Sequence, residues 1–414
     1  MLEVVSIEDA KRLLRERFAG FGAGTEAVPF DQAAARVLAE DVVASEGVPP
    51  FDRSTVDGFA VCASDTFGCS DALPALLALA GEVEMGEEVD VACPPGACVR
   101  IPTGGKIPQG ADAVVMLEYC EEYGDGTVGI ASSVAPSDNI VFENDDAAPG
   151  SVLVKSGTLL QPHHVGTLAS LGMTRCLVRK PVRVGVISTG DEIIEADRTP
   201  AASQMRDVNA PLLAAAIRAC GAEPSCFPIV PDSYDALLAA VEGALETCDA
   251  VLVSGGSSAG QKDNTARVLS HVGDLLFHGV AVKPGKPTLC ADANGAPVFG
   301  LPGHPVAAYF MFLELAAPLL MPGFFARRTP AVLAEGLPSN HGRSELVPVE
   351  LESMPNGKHA TRLRAVPIRS KSGLISQLCT ANGYLEIARD TEGLAAGALV
   401  EVTLFDRWQG CELA

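Results

Sequence analysis

Lys283-Pro284-Gly285-Lys286-Pro287 places two ammonium groups on a short loop stiffened by proline. Holding like charges close together is unfavourable unless an anion lies between them. The plain alternative is a pair of solvated lysines on a turn. A second rigid loop, Gly300-Leu301-Pro302-Gly303-His304-Pro305, follows shortly and opens a helix. Together the two loops suggest a preorganised pocket for an oxyanion or phosphate. Ser254-Gly255-Gly256-Ser257-Ser258-Ala259-Gly260 lies between an expected strand and a helix starting near Asp263. It has neither the Walker signature nor the G-x-G-x-x-G spacing, so it reads equally as an anion-binding turn or an ordinary strand–helix turn. Asp191, Glu192, Asp232 and Asp263 fall on loops at expected strand ends. Beside an anion pocket such acids make sense if a cation such as Mg2+ bridges them to phosphate, although each alone reads as a helix cap. The turns Asp52-Arg53-Ser54-Thr55-Val56-Asp57-Gly58-Phe59-Ala60 and Thr103-Gly104-Gly105 carry no assignment by themselves. His163 and His164 are adjacent, lack a third ligand at metal spacing, and read as structural.

The elements that must position these groups divide into several units. Ser6 with Asp9 three residues later predicts a capped helix over 10–18, and a second helical pattern runs over 30–40. Short apolar or β-branched runs at 98–101, 113–117 and 127–131 lie between Gly/Pro clusters and predict a small β-rich unit. Helix returns at 163–171, so the β unit reads as an insertion into another domain. From residue 181 the pattern is α/β: strands at 182–187, 226–230 and 250–253 alternate with helices at 211–220 and 234–245. Ligands of such parallel sheets bind beyond the carboxyl ends of the strands. The apolar stretch 305–321, interrupted by Glu314 and Pro318, reads as a buried helix rather than a membrane span. After about residue 329 helices vanish, and 346–352, 384–387 and 399–404 predict strands of a small β domain. The expected domains are 1–45 with 147–178, 46–146, 179–328 and 329–414.

The chain has 414 residues, 30 Lys+Arg against 52 Asp+Glu and a net charge of −22. Residues 46–146 hold 19 of the acids and 3 of the bases, a step in composition that sets this stretch apart. The acidity and the 5% aromatic content disfavour a nucleic-acid partner. No signal-peptide pattern precedes the first helix. The 12 cysteines are scattered without a C-x-x-C pair, which predicts reduced thiols in the cytoplasm rather than a disulfide framework or zinc site.

Taken together, the ordered segments resemble the MoeA family, the molybdopterin molybdotransferases that include the C-terminal domain of gephyrin. The resemblance spans essentially the whole chain. It rests on Phe51-Asp52-x-Ser54-x-x-Asp57-Gly58-Phe59-Ala60, Ile101-Pro102-Thr103-Gly104, Ser188-Thr189-Gly190-Asp191-Glu192, Ser254-Gly255-Gly256 through Asp263, the Lys283–Lys286 loop, Gly300-Leu301-Pro302-Gly303 and Ser372-Gly373. It implies a multidomain α/β fold: a MogA-like domain with a parallel-rich sheet, a helical/β N-terminal domain, an inserted β-rich domain and a small C-terminal β domain. It also implies a homodimer that inserts molybdate into adenylylated molybdopterin with Mg2+ and releases AMP, and partners such as a MogA-type adenylyltransferase and molybdoenzyme apoproteins. The implied catalytic residues are Asp57, Thr103, Glu192, Asp263, Lys283 and Lys286. Ser254, Gly255, Gly256, Asp232, Pro302 and Gly303 would bind the pterin substrate, and Asp57, Glu192 and Asp263 the metal. Four places depart from the family pattern. His304 stands where the family usually has Asn, Ala307 where it has Ser, and Pro348 where it has Arg; Val141-Phe142-Glu143 replaces a basic stretch. Two of these changes remove groups expected near the oxyanion. They leave open a divergent paralogue that uses tungstate or a modified pterin, and a non-catalytic protein that holds the pterin cofactor and hands it on.

Overall fold

A computed structural model describes residues 4–255, 264–320, 327–356, 360–369 and 371–405. Gly256 and Asp263 lie outside the described residues. Ser6 caps the first helix, α1 (Ile7–Arg17), by accepting the Asp9 N–H at 3.0 Å, as the Ser6/Asp9 spacing predicts. The helical pattern over 30–40 does not become an α-helix. A single 3-10 turn, Phe30–Gln32, is followed by Ala35 at φ +64° and by Leu38, whose N–H bonds the Thr158 carbonyl. Here long-range backbone pairing overrides the local periodicity: Leu38 is buried beside Leu160, Leu168 and Val178, which form a small core of their own.

The chain then leaves and re-enters through paired strands. Thr25–Pro29 pairs antiparallel with Arg175–Arg179, Val42–Val43 with Val152–Val154, and Val48 bridges Ala147. Helix α2 (Pro162–Ser170) packs beside this neck. Between the two crossings lies a six-stranded mixed sheet in the order Ala113–Met116, Gly58–Val61, Ala97–Ile101, Ala75–Glu82, Thr127–Ile130, Cys120–Glu122. Phe59, Cys98, Val115 and Ile130 are fully buried in it. Gly58 is glycine for want of room: a Cβ there would lie 1.9 Å from the Val115 carbonyl oxygen.

The α/β part has a second six-stranded sheet, in the order Glu223–Cys226, Arg183–Ser188, Ala250–Ser254, Ala296–Leu301, Leu289–Ala293, Asp274–His278. Its first four strands are parallel and the last two antiparallel. Alternate residues of the central strands face opposite helix layers, as a period of two requires. Val184, Val186 and Leu252 join α1, α3 (Asn209–Ala219) and α6 (Pro305–Met311) in one core; Ile187, Val251 and Val253 join α4 (Tyr234–Leu245) and α5 (Asn264–Val272) in the other. The strand expected at 226–230 is observed at Glu223–Cys226. Pro228 has no N–H for the ladder, and Val230 keeps only an isolated bridge to Thr189.

After α6 the chain continues through a π-helical segment, Phe312–Ala316, and a last turn, Ala317–Leu320. Glu314, the one acid of this apolar run, is paired with Lys11 of α1 and accepts the Tyr384 hydroxyl. Both partners come from distant parts of the chain, which satisfies a charge that could not otherwise be buried. Beyond it, Ser344–Asn356, Ala360–Pro367, Arg328–Leu333, Leu399–Leu404 and Gly383–Ile387 close into a five-stranded barrel, the first strand pairing with both the second and the last. Val282–Lys283 adds to this barrel as a short parallel strand against Ser344 and Glu345. No helix among the described residues is long and apolar enough to cross a membrane.

Candidate functional site

That added strand carries the lysine loop to the seam between sheet and barrel. A cavity of about 790 Å3 opens there, walled by the 283–287 loop, by Pro302, His304 and Ala307, by Arg343 and residues 345–348, and by Ile368, Arg369, Lys371 and Ser372. Gly285, at φ +129°, lies so close to α6 that a Cβ would meet the Met311 sulfur at 2.6 Å. The Thr288 hydroxyl donates to the Gly285 carbonyl at 2.6 Å and closes the turn. The lining carries Lys283, Lys286, Arg343, Arg369 and Lys371 against the single carboxylate of Glu345. In a chain of net charge −22 this is a local inversion of sign, and it suits an anion. The two loop lysines are not equivalent. Near neighbours in the sequence leave both unneutralised, but Lys283 Nζ lies 2.7 Å from Glu345 Oε1, whose other oxygen accepts from the Ser339 hydroxyl at 3.0 Å. Lys286 has no carboxylate partner among the described residues.

The second group of candidates sits at the carboxyl ends of the parallel strands. Thr189 N–H bonds the Ser254 carbonyl at 3.0 Å, and Gly255, at φ +115°, passes so near Thr189 that a Cβ would lie 2.1 Å from its carbonyl oxygen. Asp191 Oδ1 accepts the Asp232 N–H at 3.1 Å, and the Asn264 amide reaches the Asp232 carbonyl at 3.3 Å. The Glu192 carboxylate folds back over Gly190, within 2.9 Å of where a Cβ would be. Asn209 ties this crevice to the cavity. Its amide nitrogen donates to Ser254 Oγ at 2.7 Å and to the Gly303 carbonyl at 2.8 Å. Among the described residues its Oδ1 and the Ser188 hydroxyl are buried with no hydrogen-bond partner. Sequence reasoning took this stretch only as a helix start. The available signal was Asp207-x-Asn209 at that start, and Asp207 Oδ1 does accept the Ala210 N–H at 3.1 Å.

Asp57 and Thr103 meet on the β-rich unit. Asp57 Oδ1 accepts the Thr103 N–H at 2.7 Å, and hydrogen bonds from the Thr103 backbone and side chain hold the carboxyl below the usual carboxylate range. Asp52 Oδ1 accepts the Glu143 N–H at 2.8 Å and braces the same loop. Among the described residues no hydrogen bond or ion pair joins Asp57 or Thr103 to the strand-end acids, and no three metal-ligating side chains gather. His164 accepts the Gln161 N–H at the start of α2, as a structural histidine does. The described cysteines are free; burial pushes Cys98 and Cys220 up to about 12, so these thiols stay protonated.

Three family models match in order. The MoeA N-terminal region (domain I and II) covers residues 5–172, the "Probable molybdopterin binding domain" 185–322, and the MoeA C-terminal region (domain IV) 330–405. A molybdopterin molybdenumtransferase of Bacillus subtilis is 34% identical over 400 residues, covering 94% of this chain and 91% of that one. The chain belongs to the MoeA family. A molybdopterin molybdenumtransferase of Haemophilus influenzae is 34% identical over 317 residues, 77% of each chain. The crystal structure of the molybdopterin biosynthesis MoeA protein from Pyrococcus horikoshii OT3 superposes with a TM-score of 0.82 at 32% identity, covering 97% of this chain and all of that one.

Within this MoeA-family fold the departures fall at two places. His304, Ala307 and Pro348 all line the cationic cavity. Ala307 is buried, and Pro348 accepts the Ile368 N–H at 2.8 Å through its carbonyl. The barrel loop is tied to α6 beside them: Ser372 Oγ lies 2.8 Å from His304 Nδ1, and its carbonyl accepts the Val306 N–H at 3.1 Å. Val141 pairs with Arg53, and Phe142 is 39% exposed beside the Asp57 loop, so a partly exposed apolar edge stands where the resemblance leads one to expect a basic stretch.

Proposed function

We propose that this chain inserts molybdate into adenylylated molybdopterin and releases AMP. The observation that carries the reading is the cavity whose wall concentrates cations in an otherwise acidic protein. The oxyanion sits against Lys286, Arg343 and Lys371. The pterin and its phosphates reach along Pro302 and Gly303 to the Ser254-Gly255 turn, which the Asn209 amide ties to Gly303. The acids implied for the metal are hard oxygen donors with no thiolate or imidazole among them, which suits Mg2+. Glu192 and Asp263 would hold it with Asp57, and when bound it would polarise the phosphoanhydride that breaks. Among the described residues Asp57 and Thr103 make no bond to the strand-end acids of their own subunit, so we assign them to the crevice of a second copy in a homodimer. The donor of adenylylated pterin is then a MogA-type adenylyltransferase and the acceptor a molybdoenzyme apoprotein, in the cytoplasm.

A second reading rests on Ala307 and Pro348, which leave the cavity wall without the Ser and Arg the family uses: a carrier that holds the pterin without cleaving it, or a paralogue for tungstate. Incubating the purified protein with adenylylated molybdopterin, Mg2+ and molybdate or tungstate separates these. AMP release with metal retained in the pterin supports the transferase, and the oxyanion that gives it names the metal. Pterin bound stoichiometrically without AMP release supports the carrier.

A further inference from the structure

His304 occupies the N-cap position of α6, where a side chain would ordinarily accept from the free N–H groups of the first turn. It makes no such bond. Its ring lines the cationic cavity instead, with Nδ1 held 2.8 Å from the Ser372 hydroxyl of the barrel loop. A hydroxyl can both donate and accept. With Nδ1–H donating to the Ser372 hydroxyl, Nε2 faces the cavity free to gain or lose a proton; with the hydroxyl donating to Nδ1, the hydrogen sits on Nε2. In the first arrangement the ring gains or loses its Nε2 proton without losing its anchor.

The charged groups lining the cavity with His304 are Lys283 with its partner Glu345, Lys286, Arg343, Arg369, which reaches Glu335 at 3.4 Å, and Lys371. The wall carries more cations than carboxylates and so draws in an anion. A dianion bound beside the ring favours a proton on it. We propose that His304 takes up a proton when a tetrahedral oxyanion binds and delivers it to the oxygen that leaves the metal, with Ser372 as the positioning residue. This rests on the transferase reading above.

The chemistry calls for such a group. Converting MO4(2−) and a dithiol R(SH)2 into R(S)2MO3(2−) and H2O forms two metal–sulfur bonds and breaks one metal–oxygen bond and two S–H bonds. The metal keeps its oxidation state. Both protons of the water come from the thiols. Nε2 carries one of them, giving its own proton to the departing oxygen and taking the replacement from a thiol. The asparagine usual at this position cannot do so, because its amide does not titrate in this range.

Calorimetric titration of the full-length protein with molybdate, and separately with tungstate, near pH 7.5 in buffers of different ionisation enthalpy reads the proton directly. The expected result is uptake of a fraction of a proton to one proton per oxyanion in the wild type, absent in His304→Asn and His304→Gln. In turnover, both variants should lose on the order of a hundredfold in kcat with KM changed far less, and their kcat should no longer fall as pH rises through the histidine range. Ser372→Ala should retain proton uptake with an intermediate kcat. Uptake that persists in both His304 variants, or unchanged kcat in both, overturns the proposal. Wild-type protein that takes up the proton through His304 but releases no AMP keeps the oxyanion-linked histidine and sinks the transferase reading instead. Wild-type protein that binds neither oxyanion sinks both.

Discussion

Replacing Glu345 by Gln should tighten oxyanion binding, although it destroys an ion pair with an essential-looking lysine. The pair joins Lys283 Nζ and Glu345 Oε1 at 2.7 Å on the cavity wall. A cavity of about 790 Å3 has, taken as a sphere, a radius of about 6 Å, so a wall charge acts on a central dianion from about that distance. Coulomb's law then gives about 1.4 kcal/mol per unit charge at a water-like dielectric and about twice that at half the dielectric constant. Screening over a Debye length of about 8 Å at physiological salt cuts this to about 1 kcal/mol. Glu345→Gln should therefore lower the Kd for molybdate about fivefold at 0.15 M salt, and more at low salt. The glutamine keeps the shape and an acceptor for Ser339, so the barrel should melt unchanged. Lys283→Met should raise the Kd by a similar factor. The double variant decides how the lysine acts: a return to wild-type affinity means that Lys283 acts through its charge, and persistent weakness means that it touches the anion. The measurement is molybdate titration at several salt concentrations. If Glu345→Gln weakens binding as Lys283→Met does, the carboxylate orients the lysine and the charge argument fails.

Three further outcomes follow from the geometry. Gly255→Ala, with its Cβ 2.1 Å from a carbonyl oxygen at φ +115°, should cost several kcal/mol and abolish pterin binding, whereas Gly221→Ala, at φ +73° with open space, should cost about 1 kcal/mol; equal melting shifts would refute the steric assignment. Asn209→Ala removes the amide that bridges Ser254 and Gly303 and should lower stability by about 1–3 kcal/mol and kcat/KM at least tenfold, while molybdate binding in the cavity persists; a variant with wild-type kinetics would leave the bridge purely structural. Asp57 should titrate below the ordinary carboxylate range, so its contribution to the stability of its loop is present above that range and lost as pH falls through the depressed value; carboxyl-resolved NMR should show this, and Thr103→Ala should move the midpoint back up.

The elements that read most clearly were those whose information is local. The strand at Arg183–Ser188 and the helices Tyr234–Leu245 and Asn209–Ala219 follow from β-branched runs, apolar spacing and the glycine beyond the helix end. The pattern over 30–40 misled because apolar spacing cannot report that Leu38 is bonded to the Thr158 backbone, 120 residues away. The strand at Glu223–Cys226 was displaced because Pro224 and Pro228 blurred its edges. At the site, the glycines and prolines of the lysine loop were legible, since the backbone path they permit depends on each residue alone. Asn209 was not, because a polar residue at a helix start looks the same whether it caps the helix or reaches two other loops.

What the sequence determined by itself, then, was the set of rigid loops, the order of the elements, the residues able to bear charge and the family pattern they compose. Which charges face one another was decided only by the tertiary structure. Lys283 and Glu345 are 62 residues apart, His304 and Ser372 are 68, and Asn209 and Gly303 are 94. Each pair is made by docking the barrel, α3 and the sheet onto one another through shared apolar cores. Propensity and spacing act over a few residues, but a Coulomb or hydrogen-bond partner is chosen by distance in space, and that distance exists only once the separate cores have packed.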